Sequence, residues 1–99
     1  MGHKEERKAI CGWAQRMWRA GLVIGSAGNV SIRSASPDRY IITPSSVPYE
    51  HLTPKDVVVI DGKDEWVEGE RAPSVETPMH LAVYGKRPDA GAVFHIHSA

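Results

Sequence analysis

Cysteine and long apolar runs are scarce in this 99-residue chain. A single cysteine, Cys11, excludes an intramolecular disulfide, which is typical of a protein in a reducing cytosol. No apolar run is long enough to span a bilayer, and the N-terminal MGHKEERKAICGWAQ lacks the apolar segment of a secretory signal peptide. We therefore expect a cytoplasmic protein with no membrane partner.

An excess of charge of either sign is also absent. The 12 Lys and Arg residues balance the 12 Asp and Glu residues, so the formal net charge is zero. Proteins that bind nucleic acid or an anionic membrane usually carry a basic excess, so neither partner is predicted. The composition, 41% hydrophobic and 24% charged, is that of a soluble globular domain.

Hydrophobic periodicity predicts a mixed α/β layer arrangement. A helix is expected from about Lys4 to Ala20, ending at Gly21, with its Met and Trp side chains packed in the core. A second helix is expected after an N-cap at Ser74. A short helical turn is expected near residues 49–52. Strands are predicted at 30–33, 40–43, 57–61, 65–69 and 92–96.

Two histidines in GAVFHIHSA are the first candidates for chemistry. In a strand, His95 and His97 project from the same face, about 7 Å apart, while Phe94 and Ile96 face the core. Two imidazoles at that separation can converge on one divalent ion. The alternative is a pair of histidines with no role, because a lone His-x-His is a weak motif.

Glu76 is the second candidate. It lies at the start of the second predicted helix, with His80 one turn further along the same face. A carboxylate beside a metal can act as a general base. The alternative is a first-turn Glu that the helix dipole favours.

Three short loops are the third candidate: GSAGNVS, TPSS and PSVE. Turns of this kind expose backbone N–H groups that can cradle an anion. Hydroxyl and amide side chains add further donors, at Ser26, Asn29, Thr43, Ser45, Ser46 and Ser74. Each loop alone is also ordinary turn chemistry, and none matches a Walker A or dinucleotide-binding motif.

Taken in order, these pieces resemble one family, the class II metal-dependent aldolases, which are grouped with the ribulose-phosphate 4-epimerases and the adducin head domain. The matching text is GLVIGSAGNVSIR, IITPSSVPYEHLTPKDVVVIDG and EGERAPSVETPMHLAVYGKRPDAGAVFHIHS. The resemblance implies a three-layer α/β/α fold with a largely antiparallel central sheet. It also implies that residues 1–99 are the N-terminal portion of one such domain, incomplete at the C-terminus, from a protein that is a homotetramer when complete.

The resemblance also implies roles for individual residues. Zn²⁺ or another divalent ion would be held by His95, His97 and a third histidine beyond this chain. Glu76 would be the catalytic acid/base, and because the epimerases carry Asp there, Glu favours carbon–carbon cleavage. The substrate phosphate would be bound by Ser26, Gly28, Asn29, Ser45, Ser46 and Ser74.

The function that the resemblance implies is that of an aldolase, a lyase of the fuculose-phosphate type. It would cleave a small-molecule sugar phosphate, a ketose 1-phosphate, to dihydroxyacetone phosphate and an aldehyde through a metal-stabilised enediolate. The alternatives are a 4-epimerase, dehydratase or decarboxylase on the same scaffold, or a non-catalytic module like the adducin head. The 99-residue chain alone is expected to be inactive.

Two positions differ from the usual family pattern. Ser46 stands where many members have glycine, and Val75 stands where many have serine. Both differences fall on the predicted phosphate loops, so a ketose without phosphate is the alternative substrate.

Overall fold

The computed structural model describes residues 3–23 and 28–96. In these ranges the elements are α1 (Lys4–Arg19), β1 (Asn29–Arg33), β2 (Tyr40–Ile42), β3 (Val58–Ile60), β4 (Trp66–Glu68), α2 (Thr77–Lys86) and β5 (Ala92–His95). Single 3-10 turns occur at Tyr49–His51, as predicted, and at Pro54–Asp56, which was not predicted. Neither described helix has the length and apolar character needed to cross a membrane.

The five strands form one antiparallel sheet in the order β4-β3-β2-β1-β5. The hairpins β1–β2 and β3–β4 join neighbours in sequence. Strand β5 returns to the opposite edge from β4 and pairs with β1, with Asn29 opposite His95. The segment that contains α2 crosses one face of the sheet, where His80 and Tyr84 contact Ser31 of β1 and Leu81 packs on residues of β2 and β3.

Helix α1 covers the other face. Its side chains Ile10, Ala14 and Met17 are buried against sheet residues that include Ile41 and Val59. The prediction that the Trp side chains of α1 pack in the core is wrong for Trp13, which is 44% exposed. Trp13 lies at the margin of the helix–sheet contact, where its ring meets Phe94 edge-on with centroids 5.8 Å apart. Trp18 is 38% exposed.

The end of α1 confirms the stop predicted at Gly21. The N–H of Gly21 donates to the carbonyl of Trp18, and the N–H of Leu22 donates to that of Met17, both at 3.0 Å. This is the Schellman motif, which requires a left-handed residue after the cap. Gly21 supplies it with φ of 76°.

Helix α2 packs on the face opposite α1. Leu81 contacts a cluster formed by Ile42, Val58 and Ile60. The two helices therefore enclose the sheet, which confirms the α/β/α layers and the largely antiparallel sheet. The apolar side chains of the sheet form one cluster on each face, because neighbouring residues of one strand face opposite layers.

Two predictions near these elements are wrong in detail. Ser74 is not the N-cap of α2, because Glu76 holds that position. The Oγ of Ser74 instead accepts from the N–H of Glu76 at 3.1 Å, which makes a separate turn before the helix. Phe94 and Ile96 do face away from His95, but they are 46% and 43% exposed, because β5 is an edge strand that α1 covers only partly.

Candidate functional site

Backbone hydrogen bonds join the loops that the sequence singled out. The N–H of Thr43 donates to the carbonyl of Val30 at 3.1 Å, which ties the end of β2 to the start of β1. The N–H of Ser74 donates to Thr43 at 3.0 Å, and that of Ser45 donates to Ala72 at 2.9 Å. The GNVS, TPSS and PSVE segments therefore lie side by side at one end of the sheet.

Gly28 is required by a close approach between strands. Its φ is 86°, and a Cβ there would lie 2.6 Å from Cγ1 of Val23 and 2.9 Å from the carbonyl oxygen of His95. The hydroxyl of Tyr49 donates to the carbonyl of Gly28 at 2.6 Å. Glycine therefore brings the start of β1 against the end of β5.

Asn29 is buried, with 3% of its surface exposed, and its side chain is already engaged. Its Oδ1 contacts Nε2 of His80 on α2. Paired residues of an antiparallel sheet share a face, so Asn29 and His95 project together toward α2. The predicted phosphate-binding residue and the predicted metal ligand are thus cross-strand neighbours.

The remaining described candidates lie on the adjoining loops. Ser46 is exposed and has φ of 65°, a left-handed conformation that glycine adopts readily. This conformation explains why many members of the family that the sequence resembles have glycine at this position. Its Oγ lies 3.4 Å from that of Ser45. Ser74 is buried, with its Oγ bonded to Glu76 as above. Ser26 and His97 lie outside the described residues.

Glu76 is the N-cap of α2 and is half-buried. Its carbonyl accepts hydrogen bonds from the N–H groups of Met79 and His80, at 3.0 and 3.3 Å. Among the described residues, none donates a hydrogen bond to its carboxylate. The N-cap position of Glu76 puts the residue at the positive end of the α2 dipole.

A buried polar cluster backs this end of the sheet. Ser31 lies two residues after Asn29 on the same face, and its Oγ is 2.7 Å from Nδ1 of His80 and 2.8 Å from the hydroxyl of Tyr84. All four side chains are at most 3% exposed. The sequence indicated Asn29 and placed His80 beside Glu76, but it treated Ser31 and Tyr84 only as parts of a strand and a helix. Their spacing, i and i+2 on β1 and i and i+4 on α2, is the signal that would have grouped them.

Burial keeps His80 neutral. Desolvation, with a smaller contribution from the nearby His95, lowers the pKa of His80 from 6.5 to about 4. At neutral pH one ring nitrogen therefore carries a proton and the other accepts.

Comparison with known proteins decides the family. Residues 8–99 match the family model described as the class II aldolase and adducin N-terminal domain. The chain belongs to the class II aldolase and adducin family.

Individual aldolases of the family agree with this assignment. The chain is 40% identical over 95 residues to the 5-deoxy-D-ribulose 1-phosphate aldolase of Bacillus thuringiensis, covering 96% of this chain and 45% of the relative. It is 49% identical over 82 residues to the L-fuculose phosphate aldolase of Escherichia coli, covering 83% and 37%. The chain thus spans less than half the length of these relatives.

Solved structures share the fold. An L-fuculose 1-phosphate aldolase superimposes with a TM-score of 0.87 at 32% identity, covering 94% of this chain and 44% of the other. The L-fuculose-1-phosphate aldolase of Thermus thermophilus does so with a TM-score of 0.71 at 32% identity, covering 90% and 43%. The antiparallel sheet with a helix on each face is therefore the fold of class II aldolases.

Class II aldolases generally depend on a divalent metal ion. Within residues 3–23 and 28–96, no three His, Cys, Asp or Glu side chains are grouped so as to hold one. Both nitrogens of His80 have hydrogen-bond partners, so His80 does not suit a ligand role. Because a catalytic zinc takes about three protein ligands, the described residues do not form a complete set.

Proposed function

We propose that the complete protein containing this chain is an aldolase-type lyase that cleaves a ketose 1-phosphate to dihydroxyacetone phosphate and an aldehyde. The observation that carries the proposal is the meeting of three polar loops with His95 at one end of the sheet, in a chain of the class II aldolase family. The relatives named above act on L-fuculose phosphate and 5-deoxyribulose 1-phosphate, which supports a sugar phosphate as the substrate.

The reaction breaks the bond between two hydroxyl-bearing carbons next to the ketone. The electron pair of that bond stays with the ketone fragment as an enediolate, and the hydroxyl proton of the other fragment leaves as its carbon becomes an aldehyde. A proton must then be added to the enediolate carbon to form dihydroxyacetone phosphate. We assign this transfer to Glu76, because its half-buried carboxylate lies beside the loops without a described hydrogen-bond donor.

The other proposed residues bind and orient the substrate. Fixing the phosphate aligns the reacting carbon with Glu76 and lowers the entropic part of the barrier. When bound, Zn²⁺ or another divalent ion supplies positive charge that stabilises the enediolate. We propose His95 and His97 as two of its ligands. The proposed phosphate loops carry Ser26, Gly28, Asn29, Ser45, Ser46 and Ser74. A cytoplasmic homotetramer remains our proposal for the assembled protein.

The test is release of dihydroxyacetone phosphate by the complete protein from a panel of ketose 1-phosphates and the matching ketoses without phosphate. Glu76→Gln should lower kcat by about 10²–10⁴-fold, the usual contribution of a general acid/base, while bound metal stays constant. Glu70→Gln, at an exposed position, is the matched control and should leave kcat unchanged.

Three results would count against parts of the proposal. Full activity of Glu76→Gln removes Glu76 from the proton transfer. Epimerised, dehydrated or decarboxylated products, or no turnover of any sugar, favour the other enzymes of the scaffold or a binding module. A preference for unphosphorylated ketoses points to the differences at Ser46 and Val75. The 99-residue chain alone should show no turnover.

A further inference from the structure

The buried cluster behind the site joins four side chains in one line: Tyr84, Ser31, His80 and Asn29. Tyr84 and Ser31 share a hydrogen bond of 2.8 Å, Ser31 and Nδ1 of His80 share one of 2.7 Å, and Nε2 of His80 contacts Oδ1 of Asn29. None of the first three members is a predicted phosphate-binding residue. Asn29, at the start of β1, is the member of the line that was predicted to bind the phosphate.

The direction of every hydrogen bond in this line follows from its end at Asn29. An amide oxygen only accepts, so Nε2 of His80 must carry the proton. Nδ1 of the neutral ring then accepts, and the single hydroxyl proton of Ser31 must point to it. The Oγ of Ser31 is left to accept from Tyr84, whose phenol stays protonated because burial raises its pKa.

We propose that His80 is a positioning residue that holds the side-chain amide of Asn29 with its oxygen inward and its NH₂ group toward the substrate phosphate. This inference rests on the proposed sugar-phosphate function. No described residue accepts a hydrogen bond from the Asn29 NH₂ group, and in this orientation its N–H donors are the atoms that the proposal assigns to the phosphate.

The orientation matters because a phosphate only accepts hydrogen bonds. An asparagine amide is nearly symmetric in shape, and a flip by half a turn would aim its oxygen at the phosphate and replace attraction with repulsion. The Nε2 proton of His80 removes this ambiguity, because it can bond only to the oxygen. Ser31 suits this tautomer of His80, because its hydroxyl can donate to the unprotonated Nδ1 while its Oγ accepts from Tyr84.

A double-mutant cycle on the complete protein tests the coupling. His80→Leu should raise KM for the ketose 1-phosphate about tenfold, the value of one lost hydrogen bond to a charged group, with kcat changed less than about twofold. When Asn29→Ala is already present, adding His80→Leu should cause no further increase in KM. Effects of the two substitutions that multiply would overturn the proposal, since a merely structural role predicts independence.

Conservative variants guard against a failure to fold, because His80 is only 1% exposed. His80→Gln keeps an N–H donor near the position of Nε2 and should restore a KM close to that of the wild type. Tyr84→Phe removes the far end of the line and should raise KM less than His80→Leu does. A KM for His80→Gln as high as that for His80→Leu would contradict the donor role.

Nuclear magnetic resonance decides the inference without turnover. Nitrogen-15 spectra of the wild type should show His80 protonated at Nε2, and protonation at Nδ1 would refute the assigned direction. Titration with inorganic phosphate should shift the Asn29 side-chain amide protons in the wild type but not in His80→Leu. Equal shifts in both would refute the positioning role, whereas an absence of sugar-phosphate turnover with the expected shifts would count only against the proposed reaction.

Discussion

Replacing Gly28 by alanine tests the junction on which the site is built. Gly28 lies where β1 begins, against the end of β5, in a left-handed conformation with φ of 86°. An added Cβ would lie 2.9 Å from the carbonyl oxygen of His95 and 2.6 Å from Cγ1 of Val23. The backbone oxygen cannot move away unless the pairing of Asn29 with His95 opens.

The expected loss is large for a single methyl group. A left-handed conformation costs an L-residue about 1–2 kcal/mol. Forcing a methyl group into an occupied site costs about 1–3 kcal/mol more. We therefore expect the free energy of unfolding to fall by about 2–5 kcal/mol, which is a substantial part of the about 5–15 kcal/mol typical of a folded domain.

The same substitution at Gly12 is the matched control. Gly12 lies within α1, and a Cβ there meets no atom within 4 Å. Gly12→Ala should therefore raise the free energy of unfolding by about 0.8–1.0 kcal/mol, through helix propensity alone. Urea titration of the complete protein, followed by circular dichroism, measures both. A Gly28→Ala protein as stable as the wild type would show that β1 and β5 do not meet in this way.

Two further predictions concern His80 and Ser46. Burial lowers the pKa of His80 in the folded protein to about 4, against 6.5 for a free side chain, so the unfolded state takes up this proton first as the pH falls. The free energy of unfolding should then fall by about 3 kcal/mol as the pH drops from about 6.5 to about 4. Urea titrations at several pH values measure this fall. If the urea midpoint of His80→Gln falls with pH as steeply as that of the wild type, His80 is not the source of the effect. Ser46 has a left-handed backbone with φ of 65°, which glycine adopts without strain. Ser46→Gly should therefore raise the free energy of unfolding by up to about 1 kcal/mol, whereas the control Ser46→Ala should not raise it. An equal gain in both variants would show that the backbone at this position is unstrained.

Local patterns were sufficient to predict the two helices, the five described strands and several of their ends. The 3.6-residue period predicted α1, and Gly21 predicted its end, because both depend on residues within a turn or two. Alternation predicted the strands and the opposite facing of His95 and Phe94. Burial was predicted less well at the sheet edge, since whether Phe94 or Trp13 is covered depends on how far a helix distant in sequence extends.

The candidate site was only partly predictable, for the same reason. The resemblance named Asn29, Glu76 and His95, and the structure brings the described segments that carry them to one end of the sheet. The partner of Asn29 could not be predicted, because the contact with His80 joins residues 51 positions apart in the chain and depends on α2 crossing the sheet. No spacing rule reaches across such a separation.

The fold explains why these polar residues gather where they do. On the α1 side, the sheet and helix bury a continuous apolar cluster that supports the structure. On the α2 side, a smaller apolar cluster joins residues of β2 and β3 to Leu81. There β1 turns Asn29 and Ser31 toward His80 and Tyr84. A buried polar group without a partner costs about 1–3 kcal/mol, so each of these four side chains constrains the next. Stability and orientation at the site therefore depend on the same hydrogen bonds, and a change at Tyr84, remote from any proposed ligand, should still be felt at Asn29.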